Sequence, residues 1–206
     1  MTKVFNTALE YDRKYGARNE DILLYGRLLR DWGTKTVLEF FCGTGRIAIP
    51  LSTYGLRVSA IDHCNEMVEY LKKNAAQNNI KILAKKADCR EFRTKIKYDA
   101  IIIGGLSLHL MQSLTDIERV LSSAFLGLNE GGRLILDLIH RTDKEVSFLK
   151  MDERIKKPIN YFIPNEIIKL LDQRGFDVKK TYGNYGKKHF HPSDRILVIT
   201  ASKKKT

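Results

Sequence analysis

No apolar run in this 206-residue chain is long enough to cross a bilayer. The opening MTKVFNTALEYDRKYGARNED is too polar for a secretory signal. Cysteine is scarce: Cys42, Cys64 and Cys89 are odd in number and show no CxxC spacing. That pattern excludes a disulfide framework and a cysteine-based zinc site, and it suits reduced thiols in a cytosolic, cytoplasmic protein. His189 and His191 in KKHFHPSD have no third ligand nearby, so no metal site is expected. Internal repeats and low-complexity linkers are missing as well. A hydrophobic fraction of 43% over this length suits one globular domain with a substantial core.

Positive charge is abundant. Thirty-six Lys and Arg against 24 Asp and Glu give a net charge of +12. One basic group holds Lys72, Lys73, Lys81, Lys85, Lys86, Arg90, Arg93, Lys95 and Lys97, and a second comes late, at Lys179, Lys180, Lys187, Lys188 and the lysines of the last residues. These are either solvated helix faces or a surface that attracts phosphates or RNA. Few aromatics interleave with the lysines, which argues against a single-strand stacking platform.

Strand-like apolar runs alternate with helical patterns. Strands are expected over 36–41, 57–62, 80–84, 98–104 and 133–138, and helices over 20–32, 45–54, 65–78, 114–128 and 164–174. DAIIIG and RLILDL are near-continuous apolar runs of the kind found in buried parallel strands. Strand–helix alternation implies a parallel sheet with helices on both faces. Residues 176–184 and 194–202 read as two strands joined without room for a crossover helix, so they should pair antiparallel at the end of the sheet.

The chemistry concentrates in VLEFFCGTGRIAIPL, where an apolar run ends in a glycine turn before a helix. Gly43, Gly45 and Ala48 fit the loose pattern GxGxx(G/A), and Asp62 ends the next strand about 20 residues on, where a carboxylate can hold a ribose diol. Charge selects the ligand. Glu39 at the mouth of the turn would repel the pyrophosphate of NAD, at a cost of up to a few kcal/mol in a partly desolvated crevice. S-adenosylmethionine has no phosphate and carries a sulfonium and an α-ammonium, so Glu39 favours it as the cofactor.

The chain resembles the class I S-adenosylmethionine-dependent methyltransferases, the broad group with small-molecule members. The resemblance rests on VLEFFCGTGRIAIPL, VSAIDHCNEM, KKADCREF, YDAIIIGGLSLHLM, LNEGGRLILDL and the tail GFDVKKTYGNYG…DRILVITASK, in that order, with YDRKYG before the first helix. It implies a Rossmann-like α/β fold: a seven-stranded, mostly parallel sheet with an antiparallel C-terminal hairpin. In a single domain over 1–206, residues 1–33 would form a cap segment and helix, and 139–163 a short substrate-side insertion. Glu39 and the backbone of Phe41, Cys42, Gly43 and Gly45 would line the methionine end. Asp62 would take the ribose hydroxyls, and His63 and Met67 would flank the adenine. Asp88 would accept the adenine amino group, and Cys89 would offer a backbone N–H to the ring. Gly104 would lie under the ligand, with Tyr11 and Tyr15 closing over the site.

Two departures stand out. Phe41 replaces the first glycine of the usual GxGxG, at a strand end judged to lie before the tight part of the turn. The fourth strand ends in GGLS without the (D/N)PP(Y/F) run of many base-amine methyltransferases, which argues against that subgroup. The short insertion, with room for one short helix, leaves the pocket open or closed by a partner chain. Methyl transfer needs alignment and exclusion of water more than a side-chain nucleophile. Where the acceptor needs a base, His109 in LSLHLM is the first candidate and His140 the second. The expected activity is methyl transfer to a small or medium-sized acceptor by a monomer or homodimer. RNA is the alternative acceptor, and a catalytically inactive cofactor-binding module the further alternative.

Overall fold

A computed structural model describes residues 8–140, 151–152, 157–158 and 160–204. Two helices lead in, α1 (Ala8–Tyr15) and α2 (Glu20–Asp31). There follow β1 (Thr36–Phe40), α3 (Ala48–Thr53), β2 (Arg57–Asp62), α4 (Asn65–Gln77), β3 (Leu83–Lys86) and β4 (Tyr98–Ile103). A 3₁₀ turn over Ser107–Leu110 precedes α5 (Leu114–Gly127) and β5 (Leu128–Ile139). The two-residue strands β6 (Met151–Asp152) and β7 (Lys157–Pro158) pair with each other, and α6 (Pro164–Gln173), β8 (Phe176–Gly183) and β9 (Ile196–Lys203) complete the chain.

The main sheet has seven strands in the order β3-β2-β1-β4-β5-β9-β8. The pairs among β1 to β5 are parallel, while β9 lies antiparallel between β5 and β8. This is the expected fold. The order reverses direction between β1 and β4, which makes the carboxyl ends of those two strands the crevice of the sheet.

Both faces are covered. Ile117, Val120 and Leu121 of α5 and Ile167 and Leu171 of α6 pack with Leu38, Phe40, Ile101 and Ile103 on one face. Leu24 and Leu28 of α2, Leu51 of α3 and Val68 and Leu71 of α4 pack with Val37, Ala60 and Ile102 on the other. Neighbouring residues of β1 and β4 thus serve opposite cores, which is why those strands read as unbroken apolar runs. Among the described residues no helix is long and apolar enough to cross a membrane.

Three differences from the sequence reading have physical causes. The edge strand β3 starts three residues later than expected. Ile80 and Ile82 pack under α4 rather than joining the sheet, and Ile80 N donates to Ala75 O across a turn at Asn79. β5 begins at Leu128, directly after α5, with an irregular register against β4 before Arg133. The stretch between β5 and α6 falls largely outside the described residues, as does the short helix expected there.

Candidate active site

The site grows from the tip of β1. Phe41, Gly43 and Gly45 all have left-handed backbones, with φ of 57°, 52° and 89°. For a non-glycine residue that conformation costs about 1–2 kcal/mol. This corrects the placement of Phe41 before the tight part of the turn: the turn begins at Phe41 itself. The ring leans on the core beside β1 and β4. Gly45 must lack a side chain for a second reason, because a Cβ there would lie 2.7 Å from Leu71 Cγ.

The turn is braced from below and from the side. Cys42 N donates to Ile61 O at 3.0 Å and Gly45 N to Cys42 O at 2.9 Å. Gly43 N donates to Asp62 Oδ2 at 2.9 Å, and Cys64 N donates to Asp62 Oδ1 at 2.8 Å. Asp62 thereby links the β1 turn to the start of α4. An ionised carboxylate offers about four lone-pair sites, so two remain for ribose hydroxyls.

The N-terminal helices are latched to the same turn. Thr44 Oγ1 donates to Asp12 of α1. Arg46 forms a two-armed ion pair with Asp21 of α2, Nη1 to Oδ1 at 2.9 Å, and also donates to Arg18 O at 3.0 Å. Those two charged side chains are 5% and 1% exposed, so the pair is desolvated and both partners need each other. Tyr11 and Tyr15 stand on α1 with ring centroids 5.1 Å apart, half-buried.

Glu39 points inward from β1 and is 2% exposed. Its Oε2 is buried without a hydrogen-bond partner. Burial pushes its carboxyl up to about 8, against the opposing pull of the Arg46 guanidinium and the Ala48 backbone. An orphaned carboxylate oxygen in a desolvated crevice calls for a cation or another donor. A bound α-ammonium meets that need, so the residues present fit S-adenosylmethionine.

The adenine-side candidates are arranged around β3. Met67 is buried on α4, and the His63 ring is exposed with Nδ1 3.4 Å from Asp62 Oδ1. Asp88 is held by Arg90, whose Nε and Nη2 reach its carboxylate at 3.0 and 2.6 Å, and Arg90 also reaches Asp116 at 3.1 Å. That hydrogen bonding from Arg90 keeps the Asp88 carboxyl below the usual range. Cys42 and Cys89 are buried, and burial pushes both thiols up. Gly104, at the end of β4, is buried where a Cβ would lie 2.9 Å from Ile47 Cδ1 and 3.0 Å from Tyr25 Cε2.

His109, expected as a proton acceptor, is found in a different role. Ile139 N donates to its Nε2 at 2.8 Å, which fixes the proton on Nδ1, and Nδ1 lies 2.7 Å from Asn160 O. Asn160 returns two bonds, N to His109 O at 3.1 Å and Nδ2 to Met111 O at 2.6 Å. The lone pair a base would use is taken by a backbone amide, so His109 straps the end of β5 to the segment before α6. His140 differs. Both its ring nitrogens are buried without a hydrogen-bond partner, and its ring stands edge-on to Phe190 at 4.7 Å.

The latches at Asp21 and Asp12 and the buried Asp137 escaped the sequence reading. A signal existed for two of them: Asp21 falls on the apolar face of α2, and Asp137 interrupts RLILDL, where nothing alternates.

A switch-point crevice with a glycine turn, an acid ending β2 and an inward carboxylate under the turn defines a nucleoside-ligand site on a Rossmann-like sheet. Residues 37–132 match the family model described as a methyltransferase domain. The chain is 26% identical over 174 residues to a ubiquinone biosynthesis O-methyltransferase of Rickettsia canadensis, covering 79% of this chain and 72% of that protein. A second protein of that name, from Rickettsia akari, is 23% identical over 71% of this chain and 61% of its own length. Among solved structures, an S-adenosylmethionine-dependent methyltransferase from Clostridium acetobutylicum superposes with a TM-score of 0.81 at 15% identity, over 96% of this chain and 97% of that one. Residues 37–132 are thus similar to a methyltransferase domain, and the whole described sheet has the fold of the S-adenosylmethionine-dependent methyltransferases.

Proposed function

We propose that this chain transfers a methyl group from S-adenosylmethionine to a small or medium-sized acceptor. The observation that carries the reading is Glu39 Oε2, buried and unpartnered beside the glycine turn. When bound, the cofactor supplies an electrophilic methyl on a sulfonium with a neutral thioether as leaving group. Glu39 and the backbone from Phe41 to Gly45 would hold the methionine end. Asp62 would hold the ribose, with His63, Met67, Asp88 and Cys89 around the adenine and Gly104 as floor. Tyr11 and Tyr15 would cover the site and exclude water.

The acceptor side lies at the ends of β4 and β5. Aromatic rings gather there: Tyr161 and Phe162 against His109, and Phe190 against His140. That lining and the names of the Rickettsia relatives support an aromatic small molecule methylated on oxygen. With His109 engaged as a strap, His140 is the residue we assign to accept the acceptor's proton.

Calorimetry with S-adenosylhomocysteine tests the reading. Binding is expected, and no heat at about 500 μM ligand would sink it. A second reading, an RNA acceptor, is favoured by the exposed Lys72, Lys73, Lys81, Lys85 and Lys86 along α4 and the β3 edge. It requires RNA binding that weakens steeply with salt, and a flat response removes it. Transfer of labelled methyl to a component of a cell extract separates an enzyme from an inactive cofactor-binding module.

A further inference from the structure

Two strained turns meet on one carboxylate. After β4, Gly105 and Leu106 both have left-handed backbones, with φ of 67° and 63°. Between β8 and β9, Asn184 and Tyr185 do the same, at 49° and 60°. Such conformations persist only where the surroundings hold them, and they gather at functional sites. Asp137 of β5, with 0% exposure, is reached by both turns, the first through its backbone and the second through the Tyr185 side chain. Its Oδ1 accepts from Leu106 N at 2.7 Å, and its Oδ2 accepts from Gly105 N at 3.0 Å. The hydroxyls of Tyr25 and Tyr185 both donate to Oδ2 at 2.7 Å.

Four donors from three separate segments therefore fill the acceptor capacity of a single buried carboxylate. Nothing is left over for a ligand, so Asp137 acts through what it holds. What it holds is the turn that follows Gly104. Tyr25 packs against Gly104 as well, where a Cβ would lie 3.0 Å from its ring. The floor of the crevice and the β8–β9 connection are thus tied to one point.

We infer that Asp137 is the positioning residue of the cofactor site's floor, and that Tyr185 makes the β8–β9 connection part of the same device. The inference rests on the reading of this crevice as an S-adenosylmethionine site. A simple core staple would make a different prediction: its loss lowers the melting temperature but leaves the affinity of the folded protein unchanged.

Tyr185→Phe removes one donor and keeps the ring, so it is the variant expected to fold. Asp137→Asn sets an amide N–H₂ against backbone donors and is the stronger perturbation. Affinity for S-adenosylhomocysteine is measured by calorimetry below the melting transition of each protein, alongside hydrogen exchange of individual amides. For Tyr185→Phe we expect binding about tenfold weaker, with faster exchange at Gly105 and Leu106 and unchanged exchange in the middle of β4. Asp137→Asn should weaken binding further. Wild-type affinity in a folded Tyr185→Phe protein overturns this inference and leaves the methyltransferase reading standing. Failure of the unmodified protein to bind overturns that reading, and the inference with it.

Discussion

Asp62 Oδ2 accepts the backbone amide of Gly43 at 2.9 Å. The acid that would hold a ribose is therefore also the brace of the glycine turn, and its other oxygen tethers the start of α4 through Cys64 N. Binding and architecture would then share one side chain. A turn whose backbone must approach a ligand closely gains from this, because it is preorganised before the ligand arrives.

Replacing Asp62 should accordingly cost both stability and affinity. Asp62→Ala leaves two partly buried amide donors without an acceptor, which costs about 1–3 kcal/mol for each donor truly cut off from water. Asp62→Asn keeps an acceptor oxygen for one amide and should lose less stability. Both should weaken S-adenosylhomocysteine binding by about tenfold or more, since the ribose loses a charged acceptor. Denaturant melts and calorimetry on the two variants give both numbers. Unchanged affinity in either would remove Asp62 from the site.

Much of this was legible in the sequence, and the reasons are local. Strand–helix alternation, the glycine turn and the acid ending β2 all lie within short windows, so the parallel sheet and the place of its crevice could be read directly. The C-terminal hairpin was legible because the connection from β8 to β9 has no room for a crossover helix. What escaped depends on distant pairs. Tyr25 and Asp137 are separated by 112 positions, Arg46 and Asp21 by 25, and no periodicity marks them. The edge strand was misplaced because its outer residues face solvent, while the apolar Ile80 and Ile82 before it turn under α4. The strain at Phe41 was invisible for a similar reason: sequence gives the residue type, not its φ.

That strain yields a comparison between two variants. Phe41→Ala and Phe41→Gly both remove the ring and its packing. In an ordinary backbone, alanine would be the more stable by roughly 0.5–1 kcal/mol because glycine loses more entropy on folding. At φ 57° the order should invert, since alanine keeps the steric cost of about 1–2 kcal/mol that glycine escapes. Chemical denaturation of the pair, with the unmodified protein as reference, reads the difference. A more stable alanine variant would mean that the turn relaxes once the ring is gone.

The His109 strap predicts a stability effect in place of a chemical one. His109→Ala leaves Ile139 N and Asn160 O without their partners and opens space in a packed region, at a cost of about 2–4 kcal/mol. His109→Gln can still offer one donor and one acceptor and should recover part of that loss. Once an acceptor is in hand, the glutamine variant should keep methyl transfer within about tenfold of the unmodified rate, because no base has been removed. A drop of about a thousandfold with unchanged folding would return His109 to the role of base.

With the Glu39 carboxyl facing a bound ammonium, cofactor binding should be a proton-linked event. Burial raises that carboxyl from 4.5 to about 8 in the folded protein. Between those values the folded state holds more protons at this position than the unfolded chain does, so its contribution to stability is greatest at low pH. That contribution declines as pH rises through the window. A bound ammonium reverses the preference and favours the ionised carboxylate, so the proton must leave on binding. At pH 7 the release should approach about one proton per ligand, and affinity should rise with pH up to about 8, by at most about tenfold per unit. Calorimetry in two buffers of different ionisation enthalpy counts the proton directly. Glu39→Gln should abolish both the release and the slope, and should bind S-adenosylhomocysteine more weakly at every pH. If the unmodified protein binds with no proton released at pH 7, Glu39 does not meet the ammonium, and the charge argument that selects a cationic, phosphate-free cofactor fails at its first residue.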